Sequence, residues 1–228
     1  MHKYLYFFLL TASFAQVSDF AYTGAEASAM AGAVVSEIGG NWSIFHNPAG
    51  MTEIDGAYFS AGGGRLYGFN WLPSYNLSGF VSLPVIEKIG FALQQLETKY
   101  NGTTLSTEQT ISIAQGFNLQ KDKNSHLAMG YTANFVQWNM AKSAGVSGDG
   151  SDGLDLGSVN AVTIDLGVLA SLREKYRFGV FLKNTNSGAL GRGMTRQVLP
   201  RRINAGITYM PITGLFTSIV SEHLLGRD

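Results

Sequence analysis

Val162-Thr163-Ile164-Asp165-Leu166-Gly167-Val168-Leu169-Ala170-Ser171-Leu172 is the stretch that decides the fold. Apolar side chains stand at 162, 164, 166, 168, 170 and 172, with small or polar ones at 163, 165, 167 and 171. A period of two sends these sets to opposite faces of a β-strand. The second set is Thr, Asp, Gly and Ser, not the Lys and Glu of a sheet face washed by bulk water. An apolar face backed by a small, polar one suits a strand with lipid outside and a lumen inside.

The same alternation recurs on both sides of this stretch. It begins at Ala57 and continues through Tyr75–Leu83, then Ile89, Phe91 and Leu93, and then Ile111, Ile113, Phe117 and Leu119. Leu127, Met129, Tyr131, Ala133 and Phe135 follow, and beyond the opening stretch come Tyr176–Leu182, Ile203–Tyr209 and Leu215–Leu225. Nine segments of about ten residues match tilted membrane strands. The connections alternate in length: 84–88, 121–125, 173–175 and 210–214 are short, whereas 67–74, 101–108, 142–158 and 184–200 are long. Outer-membrane barrels sort their turns this way, short in the periplasm and long outside. Tyr67, Trp71, Tyr75, Tyr100, Trp138, Tyr176 and Tyr209 are placed to form the interfacial girdles. Nine strands is an odd number and a single-chain bacterial barrel takes an even one, so the chain is expected to be part of a larger barrel.

The N-terminal quarter reads differently. Lys3, the apolar run Tyr4–Ala12 and the small residues Ser13 and Ala15 form a signal peptide over 1–15, with Gln16 as the mature start. Residues 16–56 show no period of two. Gly24–Ala33 is a run of small residues suited to a short, closely packed helix. Asn47-Pro48-Ala49-Gly50 is a turn in which Pro48 fixes φ, Asn47 is driven extended and Gly50 permits a positive φ. Residues 57–228 are the barrel wall.

Composition agrees. The 228 residues carry 16 Lys+Arg and 16 Asp+Glu, so there is no basic footprint for nucleic acid. Charged residues make up 14%, against about 25% in ordinary soluble domains. Cysteine is absent, excluding disulfides and thiolate metal sites. His2, His46, His126 and His223 have no metal-ligand spacing, and no nucleophile motif or phosphate loop stands out, so neither enzyme, metal nor cofactor is expected. Asp149, Asp152 and Asp155 in a Gly-rich stretch do not match a calcium loop and read as solvated. Arg192, Arg196, Arg201 and Arg202 read as rim charges. Asp165 falls on the lumen face, where it can pair with a group of the N-terminal segment.

Gly24–Val34 followed by Asn47-Pro48-Ala49-Gly50-Met51 resembles the N-terminal hatch of the FadL-type outer-membrane transporters, and is more similar still to their PorV/PorQ branch. Asp165–Leu169, Phe178-Gly179-Val180, Asn184, Leu199-Pro200 and Asn204–Tyr209 are similar to later strands of that branch. The resemblance implies an all-β fold, a transmembrane antiparallel β-barrel of 14 strands with about nine present, plugged by an N-terminal hatch containing a short helix. It implies residence in the cell outer membrane and passage of hydrophobic small molecules when a hatch turn at Asn47, Pro48, Ala49 and Gly50 moves. The alternative is an accessory that binds cargo or partners of the type IX secretion apparatus through loops 142–158 and 184–200. A secreted β-sandwich without membrane contact is a third reading.

Overall fold

The computed structural model describes residues 23–84, 86–143, 145–146, 148, 151–191 and 196–225. The expected signal peptide, the start of the N-terminal segment, Asp149 and Arg192 lie outside them.

Nine strands form one antiparallel meander: β1 (Ala57–Arg65), β2 (Pro73–Leu83), β3 (Glu87–Tyr100), β4 (Thr103–Lys121), β5 (Ser125–Met140), β6 (Ser158–Leu172), β7 (Tyr176–Lys183), β10 (Arg201–Ile212) and β11 (Leu215–Leu225). A small hairpin, β8 (Ala189–Leu190) with β9 (Gln197–Val198), sits in the connection after β7. Every main strand pairs with its sequence neighbour, and the sheet is open among the described residues, with β1 and β11 at its edges.

Alternation places the side chains as the period requires. β6 alternates buried and exposed from Ala161 to Gly167, and β5 alternates buried residues with half-buried or exposed ones from His126 to Phe135. The bare face carries the large apolar groups: Phe59 and Ile219 are each 75% exposed, and Ile113 and Val162 each 57%. Such a continuous apolar surface marks an interaction face. Tyr67, Trp71, Tyr75 and Tyr100 lie exposed toward one end of this face, while Tyr176 and Tyr209 stack at 5.1 Å toward the other.

Residues 23–56 cover the opposite face. Helix α1 (Ala25–Ala29) arises from the small-residue run and stops before Ala31 and Gly32, both at positive φ. Helix α2 (Ser43–His46) leads into Asn47, whose extended backbone ends it, and Pro48 opens a 3₁₀ helix, Pro48–Glu53. Contacts of the segment reach from Gly62 on β1, against Trp42, to Gly206 on β10, against Val35, so the sheet curls around it.

Two expectations are corrected. Residues 101–108 are not a long loop: Asn101 and Gly102 alone turn the chain, and β4 starts at Thr103. Both have positive φ (47° and 81°), the type I′ geometry that Asn-Gly favours because its twist matches the strands. The short–long sorting therefore holds at seven of eight connections. Trp138 does not join a girdle: it shares parity with Thr132 and Asn134 and lies on the covered face.

Candidate functional site

The covered face carries glycine where the N-terminal segment approaches it most closely. Gly116, Gly130 and Gly167 are directly paired across β4, β5 and β6. A Cβ at Gly130 would lie 2.5 Å from the Pro48 carbonyl carbon, one at Gly116 2.9 Å from the Pro48 oxygen, and one at Gly167 2.1 Å from Asn47 Oδ1. Gly179 and Gly206, paired across β7 and β10, continue the floor under Val35 and Ser36. The segment thus rests directly on the backbone of five strands, closer than a side chain at these positions would allow.

Asn47 is the fastener of this seat. Its Nδ2 donates to Val35 O within the segment (2.8 Å) and to Val168 O on β6 (3.1 Å), while Oδ1 accepts from Ala49 N–H (3.2 Å). Pro48, Ala49 and Gly50 are buried beside it. All four residues expected in a hatch turn are therefore gathered against the wall. Gly50 differs from expectation in one respect, because it does not use a positive φ. Its need is space, since a Cβ there would stand 3.0 Å from Glu37 O. Gly62 makes a further close approach, against Trp42, where a Cβ would stand 3.2 Å away.

Further ties hold the segment at both margins. Ser36 Oγ and Thr208 Oγ1 share a hydrogen bond of 2.8 Å, extended to Ser218 Oγ at 2.7 Å. Glu37 lies 3.8 Å from Arg177, and burial raises its pKa although Arg177 works against that. Near the short turns, Lys88 donates to the Ile54 carbonyl and lies 3.6 Å from Asp55, while Glu53 meets His126 at 3.0 Å. Ile44 and Met51 pack with Phe80, Ala92 and Ala114, and Ala49 packs with Ala128 and Leu169.

Toward the loop end, a solvent-open cleft lies between the segment, the covered face of β3–β7 and the connection carrying β8 and β9. His46 closes its floor, held by a hydrogen bond with Thr23 O (2.8 Å), and burial pushes its pKa from 6.5 down to about 4, so the ring is neutral. Asp165 lies at the wall, fully engaged: it accepts from Asn134 Nδ2 (2.7 Å) and the Asn184 N–H (2.7 Å), and Asn134 in turn accepts from Ser112 (2.6 Å). Its placement on the covered face agrees with the alternation, but these hydrogen-bond partners belong to the wall and its loop, not to the N-terminal segment. Trp138, expected in a girdle, lines this cavity with Glu108 and Lys183, which the sequence does not single out. The Asn-Gly turn beyond Tyr100 was the signal available, because it extends β4 and carries Glu108 onto a strand.

No family model, curated protein or solved structure matches this chain. Among the described residues no cluster of His, Cys, Asp or Glu is arranged to hold a metal ion, and no helix is long and apolar enough to cross a membrane.

Proposed function

We propose that this chain forms wall and plug of an outer-membrane β-barrel of the FadL type, close to its PorV/PorQ branch, and passes hydrophobic small molecules through a lumen gated by residues 23–56. One observation carries the reading: a sheet whose bare face is lined by exposed Phe, Ile, Val and Leu has its other face filled by the chain's own N-terminal segment. Lipid on one side and a plug on the other satisfy both faces at once. The cavity on the loop side of the segment is where a solute from outside would first dwell. The route onward opens when Asn47 releases Val168 and the Pro48–Ala49 peptide leaves its glycine floor.

The test is a reversible lock. Ser36 and Thr208 have side-chain oxygens 2.8 Å apart and the chain contains no cysteine, so Ser36→Cys with Thr208→Cys supplies a single disulfide between segment and wall. The full-length protein is placed in liposomes, and entry of a nonpolar fluorescent probe is timed before and after reduction. Oxidation should stop entry and reduction restore it. Equal rates in both states would refute a gate at this segment, and a protein extracted without detergent would refute the membrane wall.

A further inference from the structure

The cavity holds a carboxylate with no companion. Glu108 is on the covered face of β4, directly opposite Leu96 on β3 and Trp138 on β5. Leu96 is buried, and Glu108 itself is half-buried. Among the described residues it has neither a hydrogen bond nor an ion pair, in contrast to Asp165, whose oxygens are both engaged. The indole N–H of Trp138 is buried there and also lacks a partner. A carboxylate taken from water without a partner is disfavoured, and so is an unmatched indole donor. A cationic guest in the cavity relieves the carboxylate.

We propose that this cavity binds a small organic cation with an apolar body, its ammonium group set between the Glu108 carboxylate and the Trp138 ring. The inference rests on the membrane reading above and gives it a substrate class. Charge selects the sign of the guest. Lys183 and Asp165 line the same cavity, His46 is neutral, and Glu108 is a further acidic group there. Carboxylate and aromatic face are the two groups that recognise an ammonium, by a charge-assisted hydrogen bond and a cation–π contact. Apolar surface for the body comes from Phe45, Val136, Leu190 and Leu199. From Trp138 to Asn134 along β5 the cavity runs about 13 Å, at ~3.3 Å per residue, which suits a phenylalkyl chain better than a bare metal ion.

The experiment compares three water-soluble probes of one shape on the full-length protein: 4-phenylbutylammonium, 4-phenylbutanol and 4-phenylbutyrate, titrated by calorimetry. The ammonium should bind at least about tenfold more tightly than the carboxylate, with the alcohol between them. Glu108→Gln should weaken the ammonium about tenfold and leave the alcohol unchanged, which also shows that the variant is folded. Trp138→Phe should weaken the ammonium less than Glu108→Gln does. Carboxylate binding as tight as the ammonium, or a Glu108→Gln protein that still prefers the ammonium, would overturn the proposal. Ammonium binding with no passage of any probe across liposomes would leave the site standing and overturn transport instead.

Discussion

Adding one methyl group to the floor, by Gly130→Ala, should lift the N-terminal segment. The new Cβ would stand 2.5 Å from the Pro48 carbonyl carbon and 2.6 Å from Ala49 N, where ordinary contact begins near 3.4 Å. The Pro48–Ala49 peptide must therefore retreat by about 0.9 Å, because neither partner is the end of a flexible side chain. Sideways escape is closed, since Gly116 and Gly167 flank Gly130 with equally short approaches. Retreat from the wall also stretches the 3.1 Å bond from Asn47 to Val168 past its limit. Overpacking of about 1–2 kcal/mol and one lost hydrogen bond of about 1 kcal/mol give a total of roughly 2–3 kcal/mol against docking. That is roughly a 30- to 150-fold rise in the undocked population. The assay uses Ser43→Cys as the sole thiol, buried on α2, and follows its maleimide labelling in detergent. Gly64→Ala, whose nearest neighbour would be 4.0 Å away, is the control. Labelling of the Gly130→Ala protein within twofold of its parent, or an equal rise in the control, would refute the seat.

Three other outcomes follow from the same geometry. Asn47→Leu leaves Val35 O and Val168 O without their donor and should cost about 1–3 kcal/mol of docking, seen as a lower urea midpoint for thiol exposure. Ile164→Arg puts a charge on the bare face and should cost about 2–4 kcal/mol of folding into lipid vesicles, if that face meets the bilayer centre. A Thr185→Arg exchange beyond the strand ends serves as its comparison and should cost less than about 1 kcal/mol. For pH, His46 is the informative group: its folded pKa of about 4 lies below 6.5, so the undocked state takes up a proton first. Docking should be strongest above pH 6.5 and weaken as pH falls toward 4, read as faster labelling of the Ser43→Cys thiol after correction for thiolate fraction. Glu37, whose pKa is raised, works in the opposite sense, losing its contribution as pH rises through its folded value. His46→Gln should abolish the His46 component and leave that of Glu37.

What could be read from the chain followed from what each residue can do alone. Val162, Ile164 and Leu166 have one reason to alternate with Thr163, Asp165 and Gly167, so strand, face and neighbour order were all legible. Pro48 and Asn47 bend the chain locally, and the bend was legible too. What escaped depends on a second segment meeting the first. Gly116, Gly130 and Gly167 read alone as space in a lumen, because nothing local says that a backbone will rest on them. Leu169 and Phe80 sit on the polar face because Ala49 and Met51 come to cover them. For Trp138, parity with Asn134 outweighs the interfacial preference of its residue type. Asn101-Gly102 carries a local preference for a tight turn, and that turn is what sets Glu108 on a strand.

The glycine floor has a consequence for how the protein can change over generations. Its fit is made from atoms that are missing, and glycine is already the smallest residue. Every single substitution along Gly116, Gly130, Gly167, Gly179 and Gly206 adds volume, and none can subtract it. Mutation at these five positions is therefore one-directional: it loosens the fit and cannot tighten it. A closer fit at these points must be found in residues 23–56 instead.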